Sequence, residues 1–304
     1  MDRLTSMVVF VKAAELGSFS AAARAVGLSA PMVGKHVLFL EERLGAPLLR
    51  RTTRRQSLTD LGRIYYERCK RVLAEAEAAD AVAAEQLGEA YGRLRVTAPV
   101  LFGRKCIAPV LISLAHQHPR LELEMSFTDR LTDLLAGDYD LAVRNGVPPD
   151  SPDIMARRVF RQEMVVCAAP AYLAAKGAPG ALAELGGHEA ILYSRSGYSR
   201  GWIFPRGDED RPVEISPRSR VRLDDLDAIV EAAEAGHGLA WLPLWLVRER
   251  LERGTLQRVL EDHPGLVIES HALWLRTPHL PPRIRVAVDA LVEALPALTR
   301  TGAV

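Results

Sequence analysis

The sequence predicts an α+β multidomain protein with a small helical head, a long linker helix and a C-terminal two-lobed α/β domain. Three observations predict it. Positive charge gathers at the N-terminus, an unbroken helical pattern follows, and from residue 94 onward short apolar strands alternate with helices. At 304 residues the chain is too long for one ordinary core and long enough for two or three domains.

The net charge of +1 is unevenly distributed. Residues 1–62 hold nine Lys/Arg against five Asp/Glu, a local +4 that leaves −3 on the remainder. A polyanion would therefore be met by the head. The N-terminus lacks a basic-then-apolar signal segment, and no run approaches the roughly 18 apolar residues of a membrane span. The expected location is cytoplasmic, without membrane contact. Three cysteines, Cys69, Cys106 and Cys167, stand far apart with no CxxC and no histidine at finger spacing. Buried thiols are expected, with a redox switch as the alternative.

The head begins with a helix over Leu4–Leu16, its apolar residues Leu4, Val8 and Val11 at helical spacing with Met7 and Phe10 beside them. It stops at Gly17. Ser18 or Ser20 starts a short helix, Ala21–Val26, which ends at Gly27. Gly27-Leu28-Ser29 is the tight turn, and Ser29 is placed to cap the next helix, where Pro31 is tolerated in the first turn. That helix runs to about Leu44, with Val33, Val37, Leu40 and Leu44 inward and Ala30, Met32, Gly34, Lys35 and His36 outward. Four arginines in six residues follow (Arg50, Arg51, Arg54, Arg55), a run suited to DNA phosphates.

Thr59–Leu87 reads as one helix of about 43 Å. Tyr65, Cys69, Val72, Ala76, Ala79, Ala83 and Gln86 form a heptad seam, predicting a dimerising linker. Gly88 and Gly92 mark a break. Beyond it come strands at 94–98, 121–127 and 139–143 and helices at 103–117 and 131–135, then a second unit from Glu163 with Val165-Val166-Cys167-Ala168 as its first strand. Strand Ile191–Tyr193, helix Asp225–Ala235, strand Leu239–Trp241 and helix Leu244–Arg253 continue it. A last strand, His271–Arg276, and helix, Ile284–Leu295, return to the first unit. The βαβ succession predicts parallel sheets, and two lobes with a double crossing make a hinged cleft. The boundaries are 1–60 for the head, 61–90 for the linker and 91–304 for the last domain, with lobe I at 91–162 and 269–304 and lobe II at 163–268.

The run SFSAAARAVGLSAPMVGKHVLFLEERLGAPLLRRTTRRQSLTDLG resembles the winged helix-turn-helix head of LysR-type transcriptional regulators. GRLRVTAPVLFG (92–103), FTDRLTDLLAGDYDLAVRNG (127–146), CAAPAYLAAKG (167–177) and EAGHGLAWLP (234–243) resemble the effector domain of one subgroup of that family, itself similar to periplasmic binding proteins. The resemblance implies a homotetramer built from dimers paired through the linker. It binds interrupted palindromic operators in double-stranded DNA, works with RNA polymerase, and responds to a small molecule in the cleft.

By position, the resemblance implies DNA contacts at Ser20, Ser29, Ala30, Pro31, Met32, Gly34, Lys35, His36, Arg51, Thr52, Arg54 and Arg55. Lys35 can donate to guanine O6/N7, and Ala30 or Pro31 can meet a thymine methyl. Relatives commonly carry Gln, Ser and Arg at the positions of Ala30, Gly34 and Lys35. A mid-helix glycine costs about 1 kcal/mol relative to alanine. Base readout is therefore expected to be thin and phosphate contact dominant.

For the cleft, the resemblance implies the loops holding Pro99, Val100, Leu101 and Phe102; Ser126, Phe127 and Thr128; Arg144 and Asn145; Ser194, Arg195 and Trp202. Backbone amides after Pro99 can hold a carboxylate, which points to an organic acid. A hydroxyl that binds carboxylate in relatives corresponds to Pro99 here. No cofactor or metal is implied.

Two other functions compete. Gly197-Tyr198-Ser199-Arg200-Gly201 matches the G-x-S-x-G of hydrolases, but Trp-Ile-Phe-Pro after it is extended, whereas a nucleophile elbow needs a following helix. No enzyme is expected. A transport solute-binding protein shares the cleft, but the helical head opposes it. His116-x-His118 reads as a helix end at the surface, and Gly236-His237-Gly238 is too short for a dinucleotide motif.

Overall fold

A computed structural model of the chain describes residues 1–51, 56–87, 90–130, 134, 139–195, 198–199, 201–206 and 209–299. The chain divides into two compact units. One is built from Met1–Tyr91 with Thr277–Pro282, the other from Gly92–Arg276 and the chain from Arg283 onward.

The first unit opens with α1 (Arg3–Leu16), α2 (Phe19–Val26) and α3 (Ala30–Leu44). Asp2 caps α1 by accepting the Thr5 amide at 2.7 Å, and Ser18 starts α2, so that helix begins two residues earlier than its alanines indicate. The three helices enclose a core of Met7, Phe10, Ala13, Ala22, Val33, Val37 and Leu40. On α1, Leu4 and Val8 lie outward, and Ser6, Met7, Phe10 and Ala13 form the inner face. One expectation fails here: Leu44 is exposed, since α3 has run past the core by its last turn.

Strands β1 (Leu49–Arg51) and β2 (Gln56–Leu58) form an antiparallel hairpin whose tip, 52–55, lies outside the described residues. Glu41 on α3 accepts the amides of Leu48 and Leu49 at 2.8 and 3.1 Å, fixing the hairpin to the helix before it. Thr59 then joins hairpin to linker: its hydroxyl donates to Pro47 O at 2.8 Å and accepts the Gly62 amide at 2.8 Å. A Cβ at position 62 would lie 2.0 Å from Leu48 O, so only glycine lets α4 (Asp60–Leu87) start this close.

The seam on α4 needs correction. Cys69 is buried in the head's own core and Tyr65 packs against that core. These first seam positions serve intramolecular packing, whereas Leu61, Ile64 and Val72 are large exposed apolar residues in the described part of the helix. Ala76 is half-buried and Ala79 exposed; the side chains of Ala83 and Gln86 lie outside the described residues.

The second unit begins with β3 (Gly92–Ala98) and a continuous helical stretch of α5 (Val100–Phe102), a π-turn (Gly103–Ile107) and α6 (Ala108–Gln117). Next come β4 (Leu121–Phe127), β5 (Leu141–Asn145) and the long β6 (Ile154–Ala168). The expected helix at 131–135 falls almost wholly outside the described residues. Then follow α7 (Pro170–Lys176), β7 (Glu189–Arg195), β8 (Tyr198–Ser199), β9 (Trp202–Arg206), β10 (Glu209–Ile215), β11 (Arg218–Leu223) and α8 (Leu226–Glu234). The unit ends with β12 (Leu239–Pro243), α9 (Leu244–Glu252), β13 (Gln257–Val259), β14 (Val267–Leu275) and α10 (Pro282–Ala294).

β3 pairs in parallel with β4 and β5, and β7 with β11 and β12. The sheets are mixed rather than wholly parallel, because β6 and β14 run antiparallel to their neighbours. β6 is the strand that joins the lobes. Its first part pairs with β14, up to Glu163 opposite Val267, and its last part pairs with β12 and β13.

In the second lobe, alternate residues face opposite cores. Val165, Cys167, Ile191, Ala240 and Leu242 pack on one side, with α8 and α9. Val166, Ala168, Ala190, Leu192 and Leu239 pack on the other, with Trp202 and Phe204. Two buried faces explain why these strands read as continuous apolar runs.

Candidate DNA interface and ligand cleft

On α3, Pro31 and Lys35 are exposed and Ala30, Met32 and Gly34 are half-buried. Ser20 and Ser29 are also exposed. Ser29 holds the N-cap position with extended backbone, yet its hydroxyl makes no capping bond, contrary to the cap expected of it. A Cβ at Gly34 would sit 3.7 Å from the Phe19 ring, an ordinary contact, so packing does not demand this glycine.

His36 is a correction. It is only 6 % exposed, and its Nδ1 lies 2.9 Å from the buried Ser6 hydroxyl on α1. It joins helices instead of facing a base, because position 36 shares the inward face with Val33, Val37 and Leu40. Arg50 is exposed on β1. The side chain of Arg51 and the whole of Thr52, Arg54 and Arg55 lie outside the described residues.

In the second unit, a cavity of about 320 Å³ opens between the lobes. Pro99, Val100, Leu101, Phe102, Asn145 and Trp202 line it, together with Asp129, Gln162, Met164, Tyr193, Ile203, Asp224, Asp225, Leu226, Trp241, Pro243, Trp245, Leu266 and Ile268. The π-turn places this wall. A Cβ at Gly103 would stand 2.7 Å from the Phe127 ring, so glycine allows the helical stretch to lie against β4. Leu101 reaches the second lobe's core, while Phe102 stacks on Phe160 at 5.5 Å and meets Trp245 at 5.5 Å.

Several expected ligand contacts fall elsewhere. Arg144 donates to Val143 O at 2.7 Å and Thr97 Oγ1 at 2.9 Å, and burial lowers its pKa; it braces the sheet. Phe127, Thr128 and Arg195 line an adjoining, more polar recess with Val100, Asp129, Arg130, Asp224 and Asp225. Ser126 and Ser194 line neither cavity. Of the amides after Pro99, that of Val100 is held within the chain, where Asp129 Oδ1 accepts it at 2.9 Å.

Sequence reading missed Gln162 and Met164, since the lobe crossing inside β6 has no local signal. It also missed Asp224, Asp225, Pro243 and Trp245. These stand where a strand gives way to a helix, the same rule that found Pro99–Phe102, and that rule could have found them. Partial burial first, and the Asp129 carboxylate second, raise the pKa of Tyr193.

All three cysteines are buried, and burial pushes Cys106 and Cys167 up to about 12. Burial thus disfavours the reactive thiolate at both, in line with the expected buried thiols. Tyr198–Ser199 is a strand paired with β7 and is followed by strand β9, so the required helix is absent from the G-x-S-x-G site. His116 is exposed near the end of α6, and no metal-binding cluster occurs among the described residues. Among them, no helix is long and apolar enough to cross a membrane.

A three-helix head with a hairpin wing, followed in the same chain by a two-lobed domain with an interlobe cavity, defines the class of DNA-binding transcriptional regulators. Residues 4–63 match the family model described as bacterial regulatory helix-turn-helix protein, lysR family, and residues 88–296 match the LysR substrate binding domain. The chain belongs to the LysR family of transcriptional regulators.

It is 35 % identical to the HTH-type transcriptional regulator PtxR of Pseudomonas aeruginosa, over 96 % of this chain and 93 % of that protein. To the HTH-type transcriptional activator AaeR of Escherichia coli it is 32 % identical, over 96 % and 94 %. The structure of CrgA, a LysR-type regulator from Neisseria meningitidis, aligns with a TM-score of 0.60 at 28 % identity, covering 97 % of this chain and 99 % of that one. The full-length virulence activator AphB of Vibrio cholerae shares the fold, with a TM-score of 0.58 at 24 % identity over 96 % and 99 %.

Proposed function

We propose that this regulator binds an operator through its head and that a small molecule in the interlobe cleft modulates that binding. The observation that carries the reading is the cavity of about 320 Å³, walled by both lobes around the shared strand β6. A ligand that touches both walls favours one lobe arrangement over another in proportion to its differential affinity. On the DNA side, Pro31 and Lys35 reach outward from α3, Ser29 offers an uncommitted hydroxyl, and the arginines of the hairpin supply phosphate contacts.

The protein is read as an oligomer paired through α4 and assembling to a tetramer on an interrupted palindrome, in contact with RNA polymerase. Its place is the cytoplasm, where the chromosome lies. It is read as a regulator and not an enzyme. The test is fluorescence anisotropy of a DNA fragment spanning the region upstream of its own gene, titrated over a range of salt. Specific binding with a steep salt dependence is expected. Arg51→Ala or Arg54→Ala should flatten the slope by about 0.9 for each phosphate contact removed. An unchanged slope counts against the wing.

A further inference from the structure

We infer that the ligand of the cleft is an organic cation with a flat apolar body, and that the cleft discriminates against carboxylates. This rests on the reading of the cleft as a ligand site. Five aromatic side chains line the cavity: Phe102, Tyr193, Trp202, Trp241 and Trp245. Three carboxylates, Asp129, Asp224 and Asp225, line it with them, and none of the lining residues is Lys or Arg. Ring faces and carboxylates together attract a cation, especially one that sheds part of its water.

The nearby cations stand outside the cavity lining, although Arg144 is electrostatically coupled to Asp129. Arg144 is bound to Val143 O and Thr97 Oγ1. Arg130 and Arg195 line the adjoining recess, where they face the same three aspartates. Two of the donors on the wall are engaged, while the Trp241 indole N–H is buried without a partner among the described residues. Asp129 holds the Val100 amide at 2.9 Å, and the Trp245 indole donates to Gln162 Oε1 at 2.8 Å. An entering carboxylate would meet like charge at the three aspartates and lose hydration, with the Trp241 indole N–H too weak a donor to offset both. The three aspartates are exposed, which places them at the mouth. The ligand's charged end therefore points outward and its apolar body lies among the rings.

The experiment compares three molecules of one shape, phenethylammonium, phenethyl alcohol and phenylacetate, on the full-length chain. Calorimetry gives the affinities. Tryptophan quenching reports the site, since three of the four tryptophans line the cavity. Phenethylammonium is expected to bind about tenfold more tightly than phenylacetate, with the alcohol between them. The double variant Asp224→Asn, Asp225→Asn should reduce that gap to about threefold; asparagine at 225 keeps the cap that Asp225 gives the Ala228 amide of α8. Equal or tighter binding of phenylacetate, or an unchanged gap in the variant, overturns the charge assignment alone. Failure of all three to bind overturns the cleft as a ligand site, and the inference with it.

Discussion

Two helix starts in this molecule are finished in opposite ways. α3 begins at an exposed Ser29 whose hydroxyl makes no capping bond, and α5 begins at Val100, whose amide is held by Asp129. A helix N-terminus carries partial positive charge and unpaired amide donors in either place. In the head that end carries no side-chain cap. In the cleft it is closed from within by a residue 29 positions away. The contrast teaches that a helix start is an anion site only when the fold leaves it open.

The largest expected effect comes from opening the closed end. Asp129→Ala frees the Val100 amide and removes one negative charge, so phenylacetate affinity should rise about tenfold by calorimetry. No gain would show that the capped amide does not govern anion exclusion. Next is the link across the cleft, where Asp227 on α8 meets Arg104 and Lys105 of the π-turn at 3.0 and 2.8 Å. The Arg104 side chain is 60 % exposed, so Asp227→Asn should cost less than about 1 kcal/mol in thermal unfolding. A larger loss would make this pair part of the second unit's core stability. The smallest effect belongs to the open end. Ser29→Ala should change stability by less than about 0.5 kcal/mol, against the ~1 kcal/mol of a working cap. Operator affinity should fall nonetheless; a large drop in melting temperature would reveal a cap after all.

The head was readable because its determinants are local. Gly17 and Gly27 end its first two helices where the sequence places them, and the arginine run follows α3 directly. Outward and inward faces were read less well. His36 lies on a polar-looking position of α3, but its partner Ser6 is 30 residues earlier on α1, so nothing nearby in sequence marks it as core. Cys69 and Tyr65 fit a heptad equally well as a seam or as the head's packing face, since both demand the same spacing. In the cleft, the strand-to-helix loops at 99–102 were found by their position, whereas Gln162 and Met164 sit inside a long strand with no change of pattern.

By itself, then, the sequence determined the order of domains, the helix-turn-helix head and the existence of two α/β lobes. Periodicity, breakers and charge runs act over a few residues and survive in one dimension. The tertiary structure decided which amide stays open, which arginine braces a sheet and what charge the cleft presents. Those depend on partners 29 and 47 residues apart, as with Val100 and Asp129, and with Thr97 and Arg144. Only the folded chain brings such groups within hydrogen-bonding distance.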